Sequence, residues 1–287
     1  MNVVAVVVHH EQPQRCAETV RRLRDQSVPL ARVVVVDNGS SLRGVELDAE
    51  VIEAGANLGF GGGANVGLRH LLDADERWEW ALVLPHDARP APHCLRLLLD
   101  AAAARPRAGL ASAEYGMDEK PVVDPYFGAM TVACERGEGW EPSGFAHGTF
   151  LLLRRACIED VGLFDESYFA YCEEADLAVR ASRGDWEVGM VWGAVVDNPH
   201  QSTDSAVVDY LMVRNTVALV RRHFGRYHAS VRFVMAPFWG RGSAWYDRRA
   251  RMLALRDVLR GRLGPPPASL RRTRPPSRTA KRARPLA

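Results

Sequence analysis

The stretch that decides the fold is residues 3–41, VVAVVVHHEQPQRCAETVRRLRDQSVPLARVVVVDNGSS. It contains two short apolar runs, Val3–Val8 and Val33–Val36, which have the length and the valine content of buried strands. Between them, residues 15–25 place their apolar side chains on one side of a helix. A strand, a helix and a second strand in this order predict a βαβ unit that feeds a parallel sheet.

The same alternation continues towards residue 84. Residues 51–53 are predicted to form a third strand, residues 64–72 a helix and residues 80–84 another buried strand. A polar cluster follows each of the longer strands, and open α/β sheets bind ligands at the carboxyl ends of their strands, beside helix N-termini. We therefore expect a binding crevice at this edge of the sheet.

The second half of the chain is less regular. Residues 114–144 are rich in Gly, Pro and acids, which indicates loops or a small hairpin on an acceptor side. Further strands are predicted at 149–153 and 188–196, and helices at 154–161, 176–183, 205–225 and 243–262. The predicted organisation is one α/β domain over residues 1–225, a helical extension over 226–264 and a tail over 265–287.

Composition excludes several classes of protein. The 287 residues are 47% hydrophobic and 25% charged, which is typical of a globular protein and excludes a disordered or fibrous chain. No apolar run has the length of a membrane span, and the apolar residues 3–8 lack a basic leader, so we expect a cytoplasmic protein. The five cysteines form no C-x-x-C pair, so neither a disulfide framework nor a zinc site is indicated.

The net charge of +2 conceals an uneven distribution, because the tail after Pro265 carries seven basic residues and no acid. Such a cationic, Pro-rich segment is expected to be disordered. It would be attracted to anionic lipid or nucleic acid, which allows peripheral contact with the inner face of a membrane, or it is a solvated terminus without a partner. No specific nucleic-acid partner is predicted, and a homodimer is left open.

Two clusters have the chemistry of a nucleotide site. In Val35–Ser41, the carboxylate of Asp37 at a strand end can accept hydrogen bonds from a pyrimidine ring or a ribose, although Asp before Asn-Gly is also good turn chemistry. Asn57–Gly67 is a glycine-rich loop that opens a helix and lets backbone N–H groups approach a nucleotide. The loop also matches a dinucleotide G-x-G-x-x-A pattern, but two strands precede it instead of one, which argues against NAD.

A third cluster, Leu84–Ala88, ends a strand with a single carboxylate, Asp87. A divalent cation that bridges two phosphates needs few protein ligands, because phosphates and waters supply the others. Asp87 is therefore a candidate metal ligand. The alternative is that Asp87 caps the helix that follows Pro90.

The fourth cluster is the most specific and covers residues 148–155, 161–166 and 169–177. It places Glu173, Glu174 and Asp176 next to Phe169 and Tyr171 at the start of a helix. Displacement at an anomeric carbon requires a general base for the acceptor hydroxyl, and a carboxylate in a partly dry pocket suits that role. The alternative is that these acids only stabilise the helix N-terminus through the macrodipole.

Residues Val3 to Asn215 resemble the family 2 glycosyltransferases, in particular their bacterial rhamnosyltransferase-like branch. The family's N-x-G-x-x-x-x-x-N-x-G loop is matched at residues 57–67, and its V-G-x-F-D-E-x-F-F-x-Y-x-E-D-x-D-L signature at residues 161–177. The resemblance implies a GT-A fold, with a mostly parallel central sheet flanked by helices, a nucleotide-binding half and an acceptor-side half. It also implies inversion at the anomeric carbon, a Mg²⁺ or Mn²⁺ ion and a UDP- or dTDP-sugar donor. The acceptor would be a glycan, a lipid-linked sugar or a natural-product scaffold, through a hydroxyl or an amine.

Site residues follow from the resemblance by position. The catalytic assignments are Glu174 and Asp176, and the metal assignments are Asp87 and His200. The donor-binding assignments are His9, Asp37, Asn57, Gly59, Asn65, His86 and Arg214, the last on a helix that closes over the donor. The acceptor-side assignments are His147, Gly148 and Glu173.

Three positions depart from the family pattern. His9-His10-Glu11 replaces the usual Thr-Tyr-Asn, the metal motif keeps only its last acid, and residue 174 is Glu instead of Asp. Two alternatives therefore stay open, a sugar nucleotidyltransferase and a non-catalytic module that binds sugar nucleotides. The first would require a basic glycine-rich loop after the first strand, where this chain has His9-His10-Glu11-Gln12.

Overall fold

The computed structural model describes residues 2–74, 77–116, 118–198, 203–240 and 246–270. The chain forms two compact units: Met1–Val123 with Ala129–Asn198, and Asp124–Gly128 with Pro199–Ala287. The predicted boundaries at residues 225 and 264 differ from this division, and the domain assignment stays a prediction. The part of the predicted tail from residue 271 onward lies outside the described residues.

The first unit contains a nine-stranded sheet, five helices and most of a two-stranded sheet among its described residues, while residues 124–128, which connect those two strands, are assigned to the second unit. Its strands are β1 (Val3–His9), β2 (Arg32–Asp37), β3 (Glu50–Glu53), β4 (Trp80–Pro85), β5 (Arg89–Pro90), β6 (Ala108–Glu114), β7 (Glu119–Asp124), β8 (Gly128–Ala133), β9 (Gly139–Pro142), β10 (Leu151–Arg154) and β11 (Glu187–Asp197). Its helices are α1 (Pro13–Arg24), α2 (Gly59–Asp73), α3 (Cys94–Ala103), α4 (Arg155–Val161) and α5 (Glu173–Arg183), with a 3₁₀ turn at Glu166–Tyr168.

The strand order of the sheet is β3-β2-β1-β4-β10-β6-β11-β5, and β9 pairs with β11. The strands β1 to β4 are mutually parallel where they pair, and β11 is parallel to β6. The strand β10 is antiparallel to both of its neighbours, β4 and β6. The predicted α/β sheet, mostly parallel and flanked by helices, is therefore confirmed.

Strand β1 shows why a run of valines decides this fold. All seven of its residues are buried, because helices cover both faces of the sheet. Val3, Ala5 and Val7 belong to the core cluster that includes the apolar side chains of α1. On the other face, a Cβ atom at Gly67 of α2 would lie 2.5 Å from Val6, so glycine lets the α2 backbone approach the strand closely.

Several local predictions were wrong. The predicted glycine-rich loop is the beginning of α2, which starts at Gly59 instead of residue 64. Helix α5 starts at Glu173, three residues before the predicted start, directly after Cys172 in a left-handed conformation with φ of 78°. Strand β6 was not predicted, because its sequence AGLASAE is mostly small residues and has no β-branched side chain, although every residue is buried.

The second unit contains the helices α6 (Ser205–Phe224), α7 (Arg226–Met235) and α8 (Arg248–Leu259), and a 3₁₀ turn at Ala268–Leu270. Helix α6 packs against both α7 and α8. A buried ion pair joins two of these helices, because Arg251 donates hydrogen bonds of 2.6 and 2.7 Å to the carboxylate of Asp209. The predicted C-terminal helices are thus present.

None of the helices in the described segments is both long enough and apolar enough to cross a membrane. The cytoplasmic location and the homodimer stay predictions.

Candidate active site

Three parallel strands end side by side and bring the first polar clusters together. His9 pairs with Asp37 in the register of β1 and β2, and Val8 pairs with Pro85 in the register of β1 and β4. His86 and Asp87 directly follow Pro85. The predicted donor and metal residues His9, Asp37, His86 and Asp87 therefore lie at one edge of the sheet.

The acids of α5 lie at the same edge. Strand β10 runs antiparallel to β4 with Leu151 opposite Val83, so Gly148 approaches the sheet from the carboxyl end of β4. The backbone N–H of Gly148 donates a hydrogen bond to the carboxylate of Glu174. Gly148 and Glu174 thus connect the signature helix to the edge that carries Asp87.

Asp37 is held in a fixed orientation. Its Oδ1 accepts hydrogen bonds from the Ser40 hydroxyl at 2.7 Å and from the Ser40 backbone N–H at 3.2 Å, and it lies 3.3 Å from Nδ1 of His9. The Asp37 residue lines a cavity of about 760 Å³, together with Arg43, Glu53 and loop residues between them. A carboxylate at the wall of a cavity of this size can recognise a ring N–H or a ribose hydroxyl.

Two buried histidines lie beside Asp37. His9 and His86 have ring centroids 5.4 Å apart, and neither Nε2 atom has a hydrogen-bond partner among the described residues. Burial lowers the pKa of His9 although the Asp37 carboxylate opposes the shift, and burial together with the nearby His9 lowers the pKa of His86 to about 4. Both imidazoles are therefore neutral near pH 7.

Asn57 and Gly59 fix the N-terminus of α2. The side-chain oxygen of Asn57 accepts the backbone N–H of Gly59 at 2.9 Å, and its amide lies 3.2 Å from Nε2 of His10. Gly59 has a φ of +78°, and a Cβ atom there would overlap the carbonyl of Phe169. The backbone N–H of Phe60 donates to this same carbonyl at 2.7 Å. The two family motifs therefore meet through backbone contact.

Asn65 joins the same two motifs. Its amide donates to the carbonyl of Phe164 and to Oε1 of Glu166, each at 2.9 Å, and its oxygen accepts the Phe164 backbone N–H at 3.1 Å. The residue is 1% exposed. These contacts are those of a residue that positions the signature, and the assignment of Asn65 to the donor stays a prediction.

Glu173 and Glu174 form a buried acidic pair. The Oε2 atoms of both carboxyl groups are buried and meet no hydrogen-bond partner in the described part of the chain. Burial raises the pKa of both carboxyls, and for Glu173 the neighbouring charge of Glu174 raises it further. The side chain of Glu173 fits against Gly61 of α2, since a Cβ atom at Gly61 would lie 3.4 Å from it.

Asp176 has a different environment. It is fully buried, and its Oδ2 accepts a 2.8 Å hydrogen bond from Nε of Arg180. The guanidinium of Arg180 also donates to the carbonyls of Val161 at 2.6 Å and Leu163 at 2.8 Å. Asp176 therefore orients the arginine that holds the turn at the start of the signature.

His147 lies immediately before Gly148. Its ring stacks on Tyr115 with centroids 4.4 Å apart, and its Nδ1 lies 2.8 Å from the hydroxyl of Thr149. Burial lowers the pKa of His147 to about 4. Tyr115 directly follows β6, and His147 directly precedes Gly148, which contacts Glu174. The acceptor-side assignment of His147, Gly148 and Glu173 stays a prediction.

Asp87 is 7% exposed, and its Oδ1 accepts a 3.2 Å hydrogen bond from the side-chain amide of Asn198. Within the described ranges, no group of three His, Cys, Asp or Glu side chains could hold a metal ion. His200, the second predicted metal ligand, lies outside the described residues.

Arg214 belongs to the second unit. It is 1% exposed, its Nε donates to the Asn215 side chain at 2.9 Å, and its guanidinium lies 5.1 Å from the ring centre of Tyr210. The Tyr210 hydroxyl donates to Asp257 at 2.9 Å. The assignment of Arg214 to donor binding stays a prediction.

Sequence reasoning singled out the segment before the acidic pair but missed its backbone conformation. Phe169, Tyr171 and Cys172 have φ values of 69°, 67° and 78°, which L-residues rarely adopt. Such conformations are held by surrounding structure and cluster at functional sites. No glycine marks this segment in the sequence, so nothing there could have indicated it.

A sheet whose strand ends gather polar clusters beside a helix N-terminus, with a carboxyl pair from the second half, has the architecture of the GT-A fold. The fold is similar to that of GalNAc-T7, solved with UDP, GalNAc and Mn²⁺, with a TM-score of 0.65 at 12% identity over 90% of this chain and 56% of that chain. It is also similar to the mannosyltransferase PcManGT of Pyrobaculum calidifontis, solved with GDP-Man and Mn²⁺, with a TM-score of 0.58 at 15% identity over 90% of this chain and 75% of the other.

Sequence comparison identifies the family. Residues 3–162 match the family model described as Glycosyl transferase family 2. An N-acetylglucosaminyl-diphospho-decaprenol L-rhamnosyltransferase of Mycobacterium tuberculosis is 30% identical over 282 residues, 84% of this chain and 85% of that protein. The low-salt glycan biosynthesis hexosyltransferase Agl10 of Haloferax volcanii is 28% identical over 216 residues, 69% of this chain and 70% of that protein. The chain belongs to glycosyl transferase family 2, which confirms the predicted family and enzyme class over the nucleotidyltransferase and the non-catalytic module.

Proposed function

We propose that the protein transfers a sugar from a UDP- or dTDP-sugar to an acceptor hydroxyl or amine, with inversion at the anomeric carbon and with the help of a divalent cation. One observation carries the proposal. The carboxylate of Glu174, in contact with Gly148, lies at the sheet edge that also carries Asp37 and Asp87. A base, a nucleotide-binding carboxylate and a metal-binding carboxylate are the three parts that such a transfer requires.

Glu174 is proposed as the general base. Its raised pKa makes it a stronger base than an ordinary carboxylate, which suits proton transfer from a sugar hydroxyl. Asp176 is less suited, because its Oδ2 is committed to Arg180. In the proposed step the acceptor hydroxyl gives its proton to the Glu174 carboxylate as its oxygen bonds to the anomeric carbon. The bond from that carbon to the diphosphate breaks at the same time, and a single displacement inverts the centre.

Asp37 is proposed to select the nucleotide. Uracil and thymine present a ring N–H that a carboxylate can accept, and the cavity of about 760 Å³ beside Asp37 has the size of a small-molecule site. The Ser40 contacts and the nearby His9 hold the carboxylate in one orientation. This pre-organisation supports a pyrimidine nucleotide over an unspecific diphosphate ligand.

Asp87 fits a Mg²⁺ or Mn²⁺ ion. Its carboxylate is a hard oxygen ligand at a strand end, and an ion that bridges a diphosphate takes most of its other ligands from phosphates and water. When bound, such an ion offsets the negative charge of the departing nucleoside diphosphate. The Asn198 amide, 3.2 Å from Oδ1, would orient the carboxylate. His200 as a second ligand stays a prediction.

A lipid-linked sugar is the acceptor class that we favour. The Mycobacterium tuberculosis relative is named for transfer of L-rhamnose to N-acetylglucosaminyl-diphospho-decaprenol, and its similarity covers 84% of this chain. By the same argument, a deoxyhexose such as L-rhamnose is the favoured donor sugar.

The experiment combines donor binding with turnover. Purified protein is screened by thermal shift against UDP-, dTDP- and GDP-sugars with and without Mn²⁺, since a ligand that binds the native state raises its stability. Hits are assayed for transfer to a lipid-linked N-acetylglucosamine acceptor, with the product's anomeric configuration read by NMR. Asp87→Asn should abolish the Mn²⁺ effect, whereas Asp160→Asn, an exposed acid outside the edge, should leave it. Turnover with retention of configuration, or identical metal dependence in Asp87→Asn, would contradict the proposal.

A further inference from the structure

Exposed apolar side chains are concentrated in the second unit. Among the described residues of the whole chain, eight large hydrophobic side chains are exposed, and only Val51 belongs to the first unit. The other seven are Tyr126, Tyr227, Val234, Phe238, Trp239, Met252 and Leu259. Single exposed apolar residues are normal, and an interaction surface requires that several of them share one face.

The same unit has a cationic surface. Eight of its described arginines are exposed: Arg221, Arg222, Arg226, Arg248, Arg249, Arg256, Arg260 and Arg262. Its described acids are all engaged locally. Asp204 and Asp247 cap helices, and Asp124 accepts hydrogen bonds from its own loop. Asp209 and Asp257 are buried with Arg251 and Tyr210. The charge that this unit presents to solvent is therefore strongly positive.

Exposed apolar and basic groups lie close together in the sequence of α7 and the end of α6. Tyr227, Val234 and Phe238 are 71%, 66% and 60% exposed. The spacing of seven residues places Tyr227 and Val234 on one side of α7, and Phe238 lies in the turn that follows the helix. The helical part of this α7 face, from Tyr227 to Met235, is about 12 Å long at 1.5 Å per residue. Arg226 precedes Tyr227, and Arg221 and Arg222 lie in the last turn of α6, immediately before the junction at Gly225.

Helix α1 of the first unit shows what a water-facing helix of this protein looks like. Its exposed Arg21 pairs with Asp25 at 2.8 Å, and Arg22 pairs with Glu18 at 3.1 Å. It has no large exposed hydrophobic residue. The α7 face has the opposite composition, since its aromatic and aliphatic side chains are close in sequence to three arginines and residues 217–240 contain no acid.

We propose that the α7 face, defined as Tyr227, Val234 and Phe238 with Arg221, Arg222 and Arg226, docks on an anionic lipid surface. Amphipathic helices that lie in a membrane interface insert apolar side chains among the acyl chains and pair basic side chains with lipid phosphates. Tyrosine is favoured at this depth because its ring is apolar and its hydroxyl is polar. The surface is distinct from the predicted basic tail, and the proposal does not depend on the donor or the mechanism proposed above.

Charge complementarity favours lipid over other occupants. A second copy docked by two-fold symmetry would bring the arginine clusters of both α7 faces together, and the acids of this unit are already engaged. A nucleic acid would pair with the arginines but gives no role to Val234 and Phe238. An anionic membrane accounts for both components of the surface.

The test is co-sedimentation of the full chain with vesicles of phosphatidylglycerol and phosphatidylcholine in equal amounts, compared with phosphatidylcholine alone. We expect binding to the anionic vesicles that weakens as salt is added. Val234→Asp with Phe238→Asp should weaken this binding at least about tenfold, because it removes two inserting side chains and adds two negative charges. The matched control is Met252→Asp with Leu259→Asp, which makes the same charge change on α8 and should retain binding within about twofold.

Three further measurements make the outcome decisive. First, thermal unfolding of both double variants must match that of the wild type. If the α7 double variant does not fold, it is replaced by a variant in which Arg221, Arg222 and Arg226 are all changed to Gln, and we expect the same loss of vesicle binding. A full chain with the arginines after residue 270 changed to Gln should keep most of its vesicle binding. Loss of binding in that tail variant with retention in the α7 variants would overturn the proposal. So would a wild-type dimer in sedimentation velocity that the α7 variant converts to monomer without any vesicle binding.

Discussion

Arg180 donates a 2.8 Å hydrogen bond from Nε to Oδ2 of Asp176, and two residues earlier the Oε2 atom of Glu174 has no such partner among the described residues. Both acids belong to the first turn of α5. Their environments favour different roles. The Asp176 carboxylate is neutralised by the Arg180 guanidinium, whereas the Glu174 carboxylate can accept a proton. Two substitutions separate these roles.

Glu174→Gln should lower kcat by about 10²- to 10⁴-fold, the usual contribution of a general base, without loss of stability. The amide keeps the shape of the side chain and cannot accept the acceptor's proton. The measurement is steady-state transfer together with donor binding by thermal shift. Glu159→Gln, an exposed acid on α4, is the control and should behave as the wild type. Unchanged turnover in Glu174→Gln would remove this residue from the reaction.

Asp176→Asn should act mainly on stability. The change leaves Arg180 without its carboxylate partner next to the turn at residues 161–163, and we expect unfolding free energy to fall by about 2 kcal/mol, less than for a fully buried pair because Arg180 is partly exposed. Thermal unfolding should therefore begin at a temperature about 5 °C lower. If the Asp176→Asn protein keeps a large part of the wild-type kcat when saturated with donor, Asp176 acts as a positioning residue. A loss of kcat as deep as that of Glu174→Gln, at unchanged melting temperature, would reverse the two assignments.

Much of the nucleotide-binding half was predictable, because its signals are local. Val3–Val8 and Val33–Val36 read as strands since a parallel strand buried on both faces is an unbroken apolar run. Once these strands are placed in parallel, their carboxyl ends must share an edge, so Asp37 and Asp87 had to lie near each other. The chemistry of this edge followed from the polar residues at the strand ends.

The remaining features depend on contacts between distant segments. The Ala- and Gly-rich β6 carries no strand signal of its own and is held by β10 and β11. The left-handed residues between Phe169 and Cys172 are fixed by contacts such as that of the Phe169 carbonyl with α2. Asn65 illustrates the limit for single residues, because an asparagine in a glycine-rich motif looks the same whether it binds a donor or, as its contacts indicate, positions Phe164.

Glu173→Gln should stabilise the protein at neutral pH. Burial and the charge of Glu174 raise the pKa of Glu173 well above its ordinary value of 4.5, so the folded protein binds this proton more tightly than the unfolded chain does. The contribution of protonated Glu173 to the free energy of unfolding is fully present below pH 4.5, and it is lost as the pH rises towards the folded-state pKa. Glutamine mimics the protonated form at every pH. Denaturant unfolding at pH 7 should therefore show a higher free energy for Glu173→Gln than for the wild type, and the difference should shrink or vanish at pH 4. Equal differences at both pH values would contradict the raised pKa.

Gly59→Ala should disrupt the contact between the two family motifs, and Gly55→Ala provides a matched control. Both glycines have left-handed φ values, +78° and +76°, so alanine costs about 1–2 kcal/mol of backbone strain at either position. Only at Gly59 would the added Cβ atom also overlap the Phe169 carbonyl, whereas at Gly55 nothing lies within 4 Å. The melting temperature should accordingly fall by several degrees more in Gly59→Ala than in Gly55→Ala. Relief of the overlap would require Phe169 to move, and with it the segment that leads into Glu173 and Glu174, so Gly59→Ala should also lose most of its transfer activity. Equal melting temperatures for the two variants would contradict this prediction. They would show that the fold does not require close packing of α2 against the segment that leads into Glu174.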